Sequence, residues 1–122
     1  MSMSLILCIK RFLFVGLVVT PFISSAEEMT PEQQFEIGKQ KALVCITCHG
    51  ADGISATETY PNLQGQKQQY LVAALKAYKQ NQRVDGLAIL MQGYAKDLSD
   101  QDMKDLAYYF SNVKTDTTHQ SQ

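Results

Sequence analysis

The sequence predicts a small all-α domain, in which three main helices and their connecting loops surround a group that is not protein. Three segments carry apolar residues at helical spacing, and two of them begin with capping boxes. No segment alternates as a strand does, and no internal repeat is present. Much of the chain between the helices is rich in turn-forming residues. So much loop around so few helices indicates that a non-protein group completes the core.

The first helix is predicted to begin after Thr30. Thr30 and Gln33 make a capping box, and Pro31 suits the first helical position. Gly38 lies inside this helix, where glycine costs about 1 kcal/mol relative to alanine. The glycine is either merely tolerated or needed for a close backbone approach, and we expect it to let this helix cross close to Tyr109.

The second helix is predicted over about residues 66–80 and the third after Ser99, where Asp102 completes a capping box. Asp85 is expected to lead into a short helical turn, with Met91 in the loop region after it. The apolar stripe of the second helix is Tyr70, Leu71, Ala74, Leu75 and Tyr78. The buried face of the third is Met103, Leu106, Ala107, Phe110 and Val113.

The N-terminal residues have the pattern of a secretory signal. Lys10 and Arg11 precede an apolar run over residues 12–23, and small residues at 24–26 offer a cleavage site. The run is shorter than the roughly 20 residues of a spanning helix, so cleavage is favoured over an uncleaved anchor. Cys8 would be discarded with the leader.

These patterns divide the chain into a cleaved signal peptide at 1–26, one domain at 27–114 and a polar flexible tail at 115–122. The mature chain would have 122 − 26 = 96 residues, enough for one modest core. The net charge is -1, which gives no electrostatic reason to expect nucleic acid as a partner. After signal cleavage, no stable membrane insertion is expected.

Cys45, Cys48 and His49 form a C-x-x-C-H sequence, which is typical of covalent haem attachment. Each thiol would add to one haem vinyl group, and the histidine that follows would ligate the iron. A structural zinc site needs four ligands, and the other histidine, His119, lies in the polar tail. A thioredoxin-like pair needs a βαβ setting, which is missing here. Haem attachment is therefore favoured.

The sixth iron ligand has few candidates. His119 lies in the tail, Met29 precedes the first helix, and Met103 lies on the stripe of the third. Met91 follows His49 by 91 − 49 = 42 residues and could reach the other haem face. It is either a flexible core filler or a ligand. Because His/Met coordination is a known haem arrangement, we favour Met91 as the ligand.

Nearly all of residues 29–114 resembles the class I c-type cytochromes. The similarity is to the small bacterial periplasmic monohaem proteins and to either half of the related dihaem proteins. It is carried by residues 38–45, 48–53, 61–66, 70–71, 91, 98–100 and 106–110. Only one C-x-x-C-H is present, so the chain is not itself a dihaem protein.

The resemblance implies a cytochrome c fold around one covalent haem c with iron. It assigns Cys45 and Cys48 to the thioethers, and His49 and Met91 to the axial positions. It also implies a hydrogen bond from His49 to the Pro61 carbonyl. The residues implied for the haem pocket are Leu106 and Phe110, with Arg83 near a haem propionate.

The expected function is a periplasmic single-electron carrier rather than an enzyme. The partners would be redox proteins, one donor and one acceptor, which the sequence does not identify. One alternative is a haem subunit of a larger oxidoreductase. Another is a haem sensor or enzyme that binds a small ligand at iron, which an available Met91 disfavours by closing the sixth position.

Overall fold

The computed structural model describes residues 28–114, and the expected signal peptide and polar tail lie outside them. The described part is helical and contains no strand. Its elements in chain order are α1 (Pro31–Lys41), α2 (Ile46–His49), α3 (Gln68–Lys79), α4 (Ala88–Ala95) and α5 (Asp100–Asn112). Three of the five are the expected main helices. None of the described helices has the length and apolar character needed to cross a bilayer.

Both expected capping boxes are present. The hydroxyl of Thr30 accepts from the backbone N–H of Gln33 at 3.2 Å, and the Gln33 side chain accepts from Thr30 N–H at 2.8 Å. At α5, Ser99 and Asp102 make the same reciprocal pair at 3.1 and 2.9 Å. These caps satisfy backbone donors that a helix start leaves without intrahelical partners, which explains why the two starts were predictable.

Helices α1 and α5 cross in close contact at Gly38. Gly38 is buried, and a Cβ added there would collide with the backbone carbonyl of Asp105 and lie 2.8 Å from Cβ of Tyr109. The expected close approach at Tyr109 is therefore confirmed. Phe35 packs beside it, with its ring centroid 5.1 Å from that of Tyr109. The Tyr109 hydroxyl donates to the carbonyl of Ala51, which joins α5 to the loop after α2.

An ion-pair cluster closes the same crossing. Nζ of Lys41 lies 2.6 Å from Oδ2 of Asp105 and 2.7 Å from Oδ1 of Asp102. Only 2% of the Asp105 side chain is exposed, and its other oxygen accepts from Gln101 at 2.8 Å. The hydrogen bonds to Asp102 and Asp105 raise the pKa of Lys41. Lys41 and the Ser99 cap hold the pKa of Asp102 well below its usual range.

The segment around Met91 differs from expectation, because Met91 lies inside helix α4 rather than in a loop. Two reasons made this helix hard to foresee. No side chain caps its start at Leu87, and its apolar residues do not keep to one face. Ala88 and Ala95 are buried, whereas Ile89 is 68% exposed. The helix packs against α3, which in turn packs against α5.

Candidate functional site

A cavity of about 500 Å³ lies among α2, the following loop, α3, α4 and α5. Its volume falls within the range of small-molecule and cofactor sites, roughly 300–1,000 Å³. The residues singled out from the sequence all contribute to its wall. They are Cys45, Cys48, His49, Pro61, Met91, Leu106 and Phe110.

Helix α2 holds the C-x-x-C-H residues on a single helical turn. Cys45 is its N-cap, and Cys48 and His49 are its last two residues. The turn ends at Gly50, whose φ of 81° is a backbone conformation that side-chain-bearing residues rarely adopt. A Cβ at Gly50 would also collide with the carbonyl of Ile54. The chain must therefore turn sharply at this glycine, and the loop that follows comes to lie beside the His49 ring.

His49 is buried, with 5% of its surface exposed. Its Nδ1 lies 2.8 Å from the carbonyl oxygen of Pro61, which is the hydrogen bond that the resemblance implies. A carbonyl can only accept, so Nδ1 must carry the proton. Nε2 is then left with a free lone pair, the form in which imidazole binds a metal. The loop contact thus fixes both the tautomer and the orientation of the ring.

The loop that presents Pro61 is held by Gly53. The carbonyl of Gly53 accepts from the backbone N–H groups of Leu63 at 2.8 Å and Gln64 at 3.0 Å. Gly53 has a φ of 77°, and a Cβ there would lie 2.7 Å from the Gln64 nitrogen. Asn62 fastens the loop from the other side, accepting from the Ser55 N–H at 2.8 Å. These contacts keep the Pro61 carbonyl opposite His49.

The two thiols are free in the structure and line the cavity. Burial raises the pKa of the Cys45 thiol. A catalytic or redox-active cysteine needs the reverse, a lowered pKa that favours the thiolate. Across the described chain, no three His, Cys, Asp or Glu side chains are grouped so that they could hold a metal ion. The pair is therefore arranged as two free thiols facing a cavity, beside a histidine.

Met91 lines the cavity from α4, whereas two other sixth-ligand candidates do not. Met103 is fully buried on α5 and does not contribute to the cavity wall. Met29 is 45% exposed before α1 and is also absent from that wall. His119 lies outside the described residues. Of the candidates that the structure describes, only Met91 reaches the same space as His49.

The remaining wall is largely apolar and comes from α3 and α5. Leu106 and Phe110, each 3% exposed, line it together with Ala107. From α3, Leu71 and Leu75 of the predicted apolar stripe line it as well. A helical stripe has the same periodicity whether it packs on protein or on a bound group, so no signal distinguished the two cases.

Arg83 brings a positive charge to the cavity wall. Its guanidinium donates to the hydroxyls of Tyr78 and Tyr70, each at 3.3 Å, and lies 5.0 Å from the Tyr78 ring centroid. Both tyrosines also line the cavity. Their hydrogen bonds raise the pKa of Arg83, so the guanidinium stays charged. The family resemblance implies Arg83 in this region but not its tyrosine partners.

The site fits a covalently held haem. It offers two free thiols on one helical turn, an imidazole, a thioether and apolar walls around one cavity. Residues 35–114 match the cytochrome c family. The chain belongs to that family. It is thus a c-type cytochrome, an electron carrier that binds covalent haem c with iron.

Several cytochromes of known sequence and structure resemble the chain. Cytochrome c-554(548) of Halomonas halodenitrificans is 45% identical over 62% of this chain and 90% of its own length. Cytochrome c4 of Pseudomonas aeruginosa is 42% identical, but the match spans 63% of this chain and only 37% of that protein. The crystal structure of reduced cytochrome c4 from Pseudomonas stutzeri has a TM-score of 0.56 at 39% identity, covering 65% of this chain and 45% of that one.

Proposed function

We propose that this cytochrome is a diffusible periplasmic carrier of single electrons, with His49 and Met91 as axial ligands and Cys45 and Cys48 as the thioether attachments. The observation that carries the proposal is the shared cavity. Helix α2 brings both thiols and the His49 ring to one wall, and α4 brings a methionine to the same space.

Each residue has a distinct part in this assignment. When bound, haem c supplies an iron centre that gains and loses one electron. His49 is held by Pro61 with Nε2 free, so its ring is already oriented to ligate. The Met91 thioether is a soft ligand that would favour ferrous iron and so raise the reduction potential relative to a second histidine. The apolar residues Leu106 and Phe110 act in the same direction by disfavouring the extra positive charge of the ferric state.

Met91 also supports an electron carrier rather than an enzyme or a gas sensor. If the Met91 thioether held the iron together with His49, no open site would remain for a substrate or small ligand. The cavity wall supplies no second histidine that could act as an acid or base in the described chain. The same argument disfavours chemistry at the metal if the chain is a subunit of a larger oxidoreductase.

The partners are proposed to be redox proteins in the same compartment. One relative, 38% identical over 62% of this chain, is described as a thiosulfate dehydrogenase electron acceptor in Stutzerimonas stutzeri. A donor enzyme of that kind is one form the partner could take. Leu87, Leu90 and Tyr94 belong to the cavity wall and are 44–53% exposed. These three side chains form an uncharged surface at the edge of the cavity, through which an electron can pass to a docked partner protein.

The test is carbon monoxide addition to the reduced protein at neutral pH. Wild type should bind carbon monoxide slowly or not at all, whereas Met91→Ala should bind it readily and have a lower reduction potential. Met29→Ala is the matched control, since Met29 is exposed and lies away from the cavity. Rapid and tight binding by the wild type would favour the sensor or enzyme alternative and remove Met91 as the ligand.

Attachment and export are checked on the same preparation. The haem should stay with the polypeptide during acid-acetone extraction, and the mature protein should begin near Glu27. Haem that extracts freely from the wild-type chain would contradict the assignment of Cys45 and Cys48.

A further inference from the structure

Helix α4, which carries Met91, is only lightly attached to the rest of the described chain. Of the described helices, it packs against α3 alone. Its buried residues are Ala88 and Ala95, whose side chains are single methyl groups. Three larger apolar side chains of this helix are 48–68% exposed, namely Ile89, Leu90 and Tyr94. Little buried apolar surface therefore holds α4 in place.

Backbone hydrogen bonds do not attach α4 to distant parts of the described chain. At its start, the Ala88 N–H donates to the Asp85 carbonyl at 3.0 Å, and at its end the Lys96 N–H donates to the Gln92 carbonyl at 3.0 Å. Both bonds join residues that are three or four positions apart. Any polar attachment of α4 to the rest of the described fold must therefore come from a side chain.

Gln92 makes the one side-chain hydrogen bond that links α4 to another part of the described chain. Its amide Nε2 donates to the backbone carbonyl of Arg83 at 2.7 Å, in a partly buried position. This distance is short for an amide that donates to a carbonyl, so the contact is close. Gln92 directly follows Met91 in the sequence, so the bond is made next to the proposed iron ligand.

The Arg83 carbonyl is itself held in place by α3. The N–H of Gln82 donates at 2.8 Å to a carbonyl in the last turn of α3. The guanidinium of Arg83 donates to the hydroxyls of Tyr70 and Tyr78, both on α3, at 3.3 Å each. Through Arg83, the Gln92 amide therefore ties α4 to a well-anchored part of α3.

We propose that Gln92 is a positioning residue for Met91, whose hydrogen bond to the Arg83 carbonyl keeps α4 against α3 and holds the Met91 thioether within reach of the iron. The inference rests on the proposed function, since it requires haem in the cavity and Met91 as the sixth ligand. A metal ligand is placed only as precisely as the residues that support it. Because a soft thioether binds ferric iron less strongly than ferrous iron, the ferric state depends most on this support.

The experiment titrates the ferric haem-loaded protein with imidazole at pH 8, where imidazole is mostly neutral and competes with Met91 for the iron. The haem absorbance gives the imidazole concentration at half-saturation. Gln92→Leu should lower this concentration about two- to tenfold relative to wild type, which corresponds to the loss of one hydrogen bond. Leucine and glutamine have similar helix propensity, so the helix itself is not weakened. Met91→Ala removes the internal competitor and should have the lowest half-saturation concentration of all.

Two further variants separate positioning from a general loss of stability. Gln101→Leu makes the same change on α5, where the Gln101 amide donates to Asp105 at 2.8 Å outside the cavity wall. It should keep the half-saturation concentration of wild type, whatever its denaturant stability. Gln92→Asn keeps the amide but is one methylene shorter, so it cannot reach the Arg83 carbonyl and should behave as Gln92→Leu does. This variant decides the matter if Gln92→Leu fails to fold.

Half-saturation concentrations equal to wild type in both Gln92→Leu and Gln92→Asn would overturn the inference. A fall in denaturant stability alone would not rescue it, because the bond would then support the fold and not the ligand. A Met91→Ala variant that binds imidazole only as well as wild type would contradict the proposed ligand set, and the inference with it. The Met91→Ala titration therefore distinguishes a failure of the inference from a failure of the proposed function.

Discussion

The α1–α5 crossing and the haem cavity are two halves of one small core, and they are completed in different ways. At the crossing, protein atoms meet directly, since Gly38 lies against the backbone of Asp105 and Lys41 joins α1 to α5. At the cavity, α3, α4 and α5 turn apolar side chains toward about 500 Å³ that the chain does not fill. Contacts between protein atoms complete the core at the crossing, whereas a cofactor completes it at the cavity.

This difference explains why the chain can be so short. A domain of under 100 residues buries too little surface for a secure core and often needs a covalent or metal staple. A covalently attached haem serves as that staple on the cavity side. The crossing then supplies a rigid end to which the helices that line the cavity are fixed. The comparison predicts that damage to the two halves will have effects of different size.

The largest effect is expected from the double variant Cys45→Ala and Cys48→Ala. Without the haem, the apolar side chains that line the cavity lose the group they pack against. The whole stability of a typical domain is only about 5–15 kcal/mol, so the loss of one half of a small core is severe. The chain should therefore lose its cooperative unfolding transition and most of its helical far-UV circular dichroism.

Thr47→Ala is the control for that variant, because Thr47 lies between the two cysteines and is exposed. It should keep both the haem and the fold. If the double cysteine variant kept native helix content and a cooperative transition, the cavity half would not depend on the cofactor.

The two halves of the core, the α1–α5 crossing and the haem cavity, could be predicted from the sequence to different extents. The starts of α1 and α5 were predictable because their capping boxes are local, and both boxes are present. The hydrogen bond between His49 and Pro61 was implied by the family resemblance rather than by any pattern. A short helical turn before Met91 was predicted, but the extent of helix α4 was not, since its side chains give neither a cap nor a continuous apolar face.

The ion pair of Lys41 with Asp105 shows a further limit. The two residues are 64 positions apart, and no local sequence pattern around either one predicts that it pairs with the other. A charged residue within the apolar stripe of α5 is a weak sign of a partner, and only the packing of α1 on α5 reveals which one. Pairings of this kind depend on tertiary structure and were therefore outside the reach of pattern analysis.

The second effect in size is expected from Gly38. Gly38→Ala places a Cβ against the Asp105 backbone, which cannot swing away as a flexible side chain could. Overpacking of this kind costs about 1–3 kcal/mol, and Gly38→Val should cost more than Gly38→Ala. Denaturant unfolding of the haem-loaded protein measures the loss.

Gly93→Ala is the matched control, because it makes the same change in the middle of α4. Apart from the backbone of its own helix and its chain neighbours, nothing in the described chain lies within 4 Å of a Cβ added at Gly93. Alanine should therefore stabilise this helix by up to about 1 kcal/mol, through helix propensity alone. Equal effects at Gly38 and Gly93 would show that the α1–α5 crossing is not tightly packed in solution.

The smallest effect concerns the acid sensitivity of the crossing. Lys41 and Ser99 lower the folded-state pKa of Asp102, so the ionised carboxylate stabilises the folded state. This stabilisation is present above the unfolded-state pKa of about 3.9 and is lost as the pH falls toward the lower folded-state pKa. Asp102→Asn should cost up to about 1 kcal/mol at pH 7, as exposed or half-exposed ion pairs do. The cost should shrink as the pH drops below about 4, because the Asp102 carboxylate of the unfolded wild-type chain then takes up a proton, which favours unfolding. Thermal unfolding of both proteins at pH 7 and at about pH 2.5 measures this difference, and changes at the haem ligands affect both proteins alike.

Asp97→Asn is the control, since Asp97 is 85% exposed and lies 4.0 Å from Lys96, and it should show little change at either pH. A gap between Asp102→Asn and wild type that stays the same size at the lower pH would contradict the assignment. The loss would then arise from the helix cap alone, since a neutral cap does not depend on the Lys41 charge pair.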